Sequence, residues 1–187
     1  MNARDYLTGL PNLITVGRLL LVPVTVALMV WQRWPEAFAA FVIAGVSDGV
    51  DGFLARHFDL RTELGAYLDP LADKALLVSI YIWLAVDGIL PVTLAILVVS
   101  RDVMIIGAVL VSWVLHTPMQ IRPLPVSKLN TAAQIVLAAA VLASRAFDWP
   151  LDGWRVLLIW TVAALTIAST GAYLAQWLRH MNVAARG

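Results

Sequence analysis

Four aspartates lie within a part of the chain that is otherwise apolar enough for a membrane. Asp48 and Asp51 are three residues apart, and Asp69 and Asp73 are four residues apart. On α-helices, each of these pairs would occupy one face. Because hydrocarbon is hostile to charge, acidic side chains inside a membrane segment usually mark functional positions. The spacing predicts two antiparallel helices whose acidic faces are opposed near one membrane surface.

Carboxylates this close together stay ionised only when cations lie among them, because like charges raise one another's pKa. Oxygen ligands favour a hard divalent ion such as Mg²⁺ or Mn²⁺, and two such ions about 4 Å apart form a clamp for displacement at phosphorus. Arg56 could pair with a phosphate, while Gly49, Gly52 and Gly65 would allow close approach of backbone or ligand. These residues favour a two-metal phosphoryl-transfer site, with a proton or cation pathway and a structural charge network as alternatives.

The complete pattern is Asp-x-x-Asp-Gly-x-x-Ala-Arg-x8-Gly-x3-Asp-x3-Asp, which runs from Asp48 to Asp73. It resembles the signature of the CDP-alcohol phosphatidyltransferases at every fixed position. The resemblance implies an all-α integral membrane protein that transfers a phosphatidyl group from a CDP-linked lipid to an alcohol and releases CMP. It also implies two divalent metal ions, Mg²⁺ or Mn²⁺, and a homodimer.

The resemblance also implies roles for individual residues. Asp48, Asp51, Asp69 and Asp73 match the family's metal ligands, and Asp73 also matches the general base that deprotonates the acceptor hydroxyl. The positions that resemble contacts to the CDP lipid are Asn12, Thr15, Gly52, Arg56 and Thr62. Helix packing is the alternative role for Gly52, and N-capping is the alternative for Thr62.

Four cationic residues are candidates for binding the phosphate of the acceptor: Arg18, Lys74, Arg101 and Lys128. Arg18 ends the motif Asn-x-x-Thr-x-x-Arg. The alternative to substrate binding by this motif is that Asn12 caps the helix and that the Arg18 side chain reaches to the membrane interface. For Arg101, a buried ion pair is the alternative. Arg101 and its neighbour Asp102 point about 100° apart on a helix, so we expect them to have separate partners.

The composition is typical of an integral membrane protein. Of 187 residues, 61% are hydrophobic and 13% are charged, whereas soluble domains carry about 25% charged residues. The sequence contains no cysteine, which excludes thiol chemistry, and its net charge of +1 does not suggest nucleic-acid binding.

We predict one domain over residues 1–187, with a short interfacial lead over 1–11 that ends near Pro11. The six predicted spans are about 12–30, 37–55, 62–86, 91–115, 127–143 and 154–178.

The distribution of Lys and Arg near the span ends predicts the orientation. Eight lie on the side of the termini, namely Arg4, Arg18, Arg56, Arg61, Arg122, Lys128, Arg179 and Arg186, and three lie opposite, namely Arg33, Arg145 and Arg155. This count predicts that both termini and the acidic cluster lie on the cytoplasmic or matrix side. The first residues lack the start of a secretory signal, so we expect the first span to be retained. No Arg- and Ser-rich transit segment is evident, which favours a bacterial inner membrane.

Three further stretches resemble particular branches of the family. Residues 68–74 are shared by the phosphatidylglycerophosphate and cardiolipin branches, whereas residues 100–104 and 127–134 resemble mitochondrial-type cardiolipin synthases. Residues 105–114 are apolar apart from Ser112, although a soluble dianionic acceptor should require more cationic partners. The resemblance therefore favours CDP-diacylglycerol as donor and phosphatidylglycerol as acceptor. The alternatives are glycerol 3-phosphate as acceptor and, more distantly, a cation or proton transporter or a non-catalytic membrane module.

Overall fold

The computed structural model describes the backbone of residues 3–57, 63–114 and 124–184, and the side chains of 16–49, 74–108, 111, 112, 114 and 124–181. All regular structure in these ranges is α-helical, which confirms the predicted class and helix number. The helices are α1 Ala3–Val30, α2 Trp34–His57, α3 Glu63–Val86, α4 Val92–Val114, α5 Pro125–Phe147 and α6 Asp152–Ala184.

The first helix differs from the prediction. Helix α1 is continuous from Ala3 to Val30 and passes through Pro11, so the expected break near Pro11 is wrong. A proline inside a helix forfeits one backbone hydrogen bond and disfavours the helix, but it does not have to end it. The interfacial location of residues 1–11 stays a prediction.

Left-handed residues end two of the helices. After α1, Gln32 has a φ of 57°, and the amide of Arg33 donates to the carbonyl of Leu28 at 2.8 Å. After α5, Asp148 has a φ of 51°, and the amide of Trp149 donates to the carbonyl of Ser144 at 3.1 Å. Both arrangements satisfy carbonyl groups that the end of a helix would otherwise leave unpaired.

The turn before α2 carries an exposed ion pair. The Arg33 Nε donates to Glu36 Oε1 at 3.0 Å, and Glu36 lies in the first turn of α2. This hydrogen bond from Arg33 holds the pKa of Glu36 below its ordinary value of 4.5. A negative charge at this end of the helix also complements the helix dipole.

The chain divides into two compact units. The first comprises Met1–Leu84 and Ala138–Leu151. Within it, α1 packs against α2, and the small buried residues Ala37, Ala40 and Ala44 of α2 allow close approach of a neighbouring helix. The second unit comprises Ala85–Leu137 and Asp152–Gly187. Within it, α4 packs against α6.

Two helices of the described chain are long and apolar enough to cross a membrane, Pro125–Phe147 and Asp152–Met181. The shorter segments Val16–Val30 and Lys74–Val86 are also apolar. Large apolar side chains are exposed on the described helices, as at Trp160 of α6. These findings are consistent with the predicted membrane location, while the full set of six spans stays a prediction.

Candidate functional site

The four aspartates lie on two helices of the first unit. Asp48 and Asp51 belong to α2, and Asp69 and Asp73 belong to α3, so their predicted location on helices is confirmed. The side chains of Asp51, Asp69 and Asp73 lie outside the described residues. Among the described side chains, no group of three or more His, Cys, Asp or Glu is placed to hold a metal ion. The metal site therefore stays a prediction.

Asp48 forms an ion pair with Arg18 of α1. The Arg18 Nη1 lies 2.8 Å from Asp48 Oδ1, and the exposed fraction of the side chain is 1% for Arg18 and 46% for Asp48. The packing of α1 against α2 brings these residues together. The alternative in which Arg18 reaches to the membrane interface stays a prediction. The predicted contact of Arg18 with the acceptor also stays a prediction.

The residues predicted to contact the CDP lipid are located only by their backbone. Asn12 and Thr15 belong to α1, Gly52 and Arg56 belong to α2, and Thr62 lies outside the described residues. Because α1 begins at Ala3, Asn12 lies inside the helix and does not cap it. Since α1 is continuous, Asn12, Thr15 and Arg18 follow one another at intervals of about one helical turn.

A buried polar cluster lies in the second unit, and we call it the Arg101 cluster. It consists of Arg101, Asp102, Ser127, Ser169 and Tyr173. The Arg101 Nη1 donates to Asp102 Oδ1 at 2.6 Å, and Nε and Nη2 donate to Ser169 Oγ at 3.2 and 2.9 Å. Nη2 also donates to Ser127 Oγ, and the guanidinium lies 5.5 Å from the ring centroid of Tyr173. The cluster therefore connects α4, α5 and α6 through one guanidinium.

The Arg101 cluster corrects one expectation and confirms another. The prediction that Arg101 and Asp102 have separate partners is wrong, because the flexible arginine side chain bends back to its neighbour. The alternative of a buried ion pair for Arg101 is confirmed, since the side chains of Arg101 and Asp102 are 2% and 8% exposed. The role of Arg101 in binding the acceptor phosphate stays a prediction.

The other two candidate cations are more accessible. Lys74 is partly exposed on α3, and Lys128 is exposed on α5 directly after Ser127. On α5, exposure changes within less than one helical turn, because Asn130, two residues after Lys128, is fully buried. Its side-chain Oδ1 accepts a hydrogen bond from Thr166 Oγ1 at 2.9 Å.

Sequence reasoning missed three residues of α6 that take part in these buried contacts, namely Thr166, Ser169 and Tyr173. A signal for them was present, because they are spaced by three and four residues and so share one stripe of an apolar helix. All three are buried. Polar side chains that recur at this spacing in a membrane-like helix commonly form contacts between helices.

Comparison with known proteins identifies the family. A sequence model described as CDP-alcohol phosphatidyltransferase matches residues 8–168, a range that contains the whole aspartate pattern. The chain belongs to the CDP-alcohol phosphatidyltransferase family. The match extends over helices of both units, beyond the aspartate pattern itself.

The relatives of this chain are named as more than one kind of enzyme. The human cardiolipin synthase (CMP-forming) is 36% identical over 177 residues, which are 86% of this chain and 58% of the human protein. The CDP-diacylglycerol–glycerol-3-phosphate 3-phosphatidyltransferase of Bacillus subtilis is 31% identical over 184 residues, which are 90% of this chain and 94% of that protein. A chloroplastic enzyme of the latter name from rice is 34% identical, over 91% of this chain and 57% of its own. The chain thus spans about three-fifths of the human and rice proteins.

Proposed function

We propose that this protein is a metal-dependent phosphatidyltransferase that uses CDP-diacylglycerol and phosphatidylglycerol and forms cardiolipin and CMP. The observation that carries this proposal is the complete aspartate pattern on α2 and α3 in a member of this family. The choice of acceptor is supported by residues 100–104 and 127–134, and by the name of the human relative.

The proposed metal ligands are Asp48, Asp51, Asp69 and Asp73. Carboxylate oxygens are suitable donors for Mg²⁺ and Mn²⁺. Asp48 fits this role because Arg18 contacts its Oδ1 and the side chain is nearly half exposed. When bound, two such ions would neutralise the diphosphate and the charge that develops on the departing CMP.

In this proposal, Asp73 accepts the proton of the acceptor hydroxyl. The hydroxyl oxygen then forms a bond to the phosphorus that carries diacylglycerol, while the bond from that phosphorus to the oxygen of CMP breaks. The transfer is direct, because no cysteine is present and no serine–histidine pair is evident in the sequence. The residues proposed to hold the CDP lipid are Asn12, Thr15, Gly52, Arg56 and Thr62.

The acceptor phosphate would be bound by cationic residues, for which the proposed candidates are Arg18, Lys74, Arg101 and Lys128. Lys128 is exposed and could approach a lipid phosphate without breaking a buried contact. Arg101 would first have to exchange its contacts with Asp102, Ser127 and Ser169. We therefore rank Lys128 above Arg101 for this role.

The second candidate function is synthesis of phosphatidylglycerophosphate from glycerol 3-phosphate. The observation that favours it is the coverage of 94% of the Bacillus subtilis relative. Both functions use the same donor and the same aspartates, and they differ in the acceptor alone. For either function we propose six membrane spans, a homodimer, and an active site and termini on the cytoplasmic side of a bacterial inner membrane.

A product assay tests these proposals. The full chain, purified in detergent, receives CDP-diacylglycerol and Mg²⁺ or Mn²⁺, and then either phosphatidylglycerol or glycerol 3-phosphate. Cardiolipin and CMP from phosphatidylglycerol alone would support the first function, and product from glycerol 3-phosphate alone would support the second. If neither acceptor releases CMP, the proposal of this activity is wrong.

The same assay tests the general base. Asp73→Asn should abolish CMP release, because the amide cannot accept the proton from the hydroxyl. Asp87→Asn is the matched control, since Asp87 is exposed in the turn after α3 and should tolerate the same change. Near-normal turnover by Asp73→Asn would contradict the assignment. Removal of the metal with EDTA should stop turnover, and added Mg²⁺ or Mn²⁺ should restore it.

A further inference from the structure

Arg18 is a cation buried in an apolar helix, and such a group requires a compensating charge. Its side chain is 1% exposed, and its Nη1 lies 2.8 Å from Asp48 Oδ1. Asp48 is also the first aspartate of the pattern proposed to hold the metal ions. The carboxylate of Asp48 therefore contacts the buried Arg18, and it is also proposed to bind a metal ion.

We infer that Arg18 is a positioning residue that holds Asp48 in place as a metal ligand, an inference that rests on the proposed function. Because Arg18 contacts Oδ1, the other carboxylate oxygen of Asp48 would be available to hold a metal ion. Charged or hydrogen-bonding partners of metal ligands fix the orientation of those ligands, and their loss weakens metal binding. In return, Asp48 supplies a negative charge that helps to stabilise Arg18 inside the helix pair.

This role explains the burial of Arg18 better than a contact with the acceptor does. A lipid phosphate that reached the Arg18 Nη1 would have to displace Asp48, whose Oδ1 lies 2.8 Å away. It would also have to enter a position that is nearly closed to solvent. The two partners should therefore respond differently to mutation. Loss of Asp48 removes a negative charge that contacts a buried cation, whereas loss of Arg18 leaves a carboxylate that water can reach.

Binding of Mn²⁺ in the absence of lipid substrates tests the positioning role. The signal of free Mn²⁺ in electron paramagnetic resonance gives the dissociation constant for the full chain and its variants. Arg18→Met should weaken binding by about 10- to 100-fold, and Arg18→Lys should recover part of the loss because it restores the charge. Arg33→Met is the matched control, since it breaks an arginine–carboxylate pair that is exposed.

Asp69→Asn separates failure of this inference from failure of the proposed function. If Asp69→Asn weakens Mn²⁺ binding and Arg18→Met leaves it unchanged or makes it tighter, the positioning role is wrong and the metal site stands. If the unmodified protein does not bind Mn²⁺, both the proposed metal site and the positioning role are wrong. Weakened binding by Arg18→Met, with partial recovery by Arg18→Lys, supports the inference.

Thermal unfolding without metal tests the second half of the inference. Asp48→Asn keeps an acceptor atom but removes the charge, and it should lower the apparent melting temperature by about 5 °C or more. Glu36→Gln, the equivalent change in the exposed pair, should have a much smaller effect. The double variant Arg18→Met with Asp48→Asn should melt closer to the unmodified protein than Asp48→Asn does. Equal melting of Asp48→Asn and Glu36→Gln would contradict the coupling.

Discussion

Replacement of Arg101 by methionine would remove the guanidinium that connects three helices of the second unit. Methionine keeps a long unbranched side chain but loses the ion pair with Asp102 and the hydrogen bonds to Ser127 and Ser169. The side chains of Arg101 and Asp102 are 2% and 8% exposed, so water cannot readily replace the lost contacts. Removal of one partner from a buried ion pair costs about 3–5 kcal/mol in the free energy of unfolding. For a protein of this size, that corresponds to a decrease of about 6–20 °C in the melting temperature.

The assay is thermal unfolding of the purified protein in detergent, followed by tryptophan fluorescence at one scan rate. The double variant Arg101→Met with Asp102→Asn should recover part of the lost stability, because it removes both charges of the buried pair together. Arg179→Met is the control, since Arg179 is an exposed arginine of α6 and its loss should change the stability by less than about 0.5 kcal/mol.

The kinetic constants of the same variants distinguish a structural role from substrate binding. If Arg101→Met unfolds within about 1 kcal/mol of the unmodified protein, the buried ion pair contributes less than our reasoning requires. If the KM for phosphatidylglycerol rises while stability is kept, Arg101 binds the acceptor, and the structural explanation is refuted. A large loss of stability with an unchanged KM in the surviving folded fraction would support the structural role.

Three further predictions concern other described residues. Thr166→Val removes the hydroxyl that donates to the buried Oδ1 of Asn130 and should lower the free energy of unfolding by about 1–3 kcal/mol. Thr161→Val, at an exposed hydroxyl, should lower it much less. Equal losses in thermal unfolding would contradict this prediction. Gly88 has a φ of 71° and open space around its missing Cβ, so Gly88→Ala should destabilise the protein by about 1 kcal/mol through backbone strain. Gly153→Ala, in the first turn of α6, should be neutral or stabilising in the same measurement. The pKa of Glu36 is lowered in the folded protein, so its charge adds stability above the unfolded pKa, and this stability is lost as the pH falls through the folded pKa. Glu36→Gln should therefore reduce the dependence of the melting temperature on pH below about pH 4.5. An unchanged pH dependence would exclude this contribution.

The sequence by itself determined the helical class of this protein and the two helices that carry the proposed metal ligands. Six apolar segments of suitable length predicted the six helices. In apolar surroundings each segment must satisfy its own backbone polar groups, and this requirement can be recognised from the segment alone. The aspartate pattern placed two acids on α2 and two on α3, and its match to the family was confirmed. A strict reading of Pro11 as a helix end was wrong, because one lost hydrogen bond does not outweigh the rest of a long helix.

The partners of the buried charges were decided by the tertiary structure alone. Arg18 contacts Asp48 across two helices, and Arg101 contacts Ser169, which is 68 residues away. Hydropathy shows that a segment is buried, but it does not show which faces of two helices pack together. A charged side chain in such a segment takes the partner that the packed faces bring within hydrogen-bond distance, because an uncompensated buried charge is too costly to keep. The choice between a substrate contact and a structural ion pair therefore depends on helix packing.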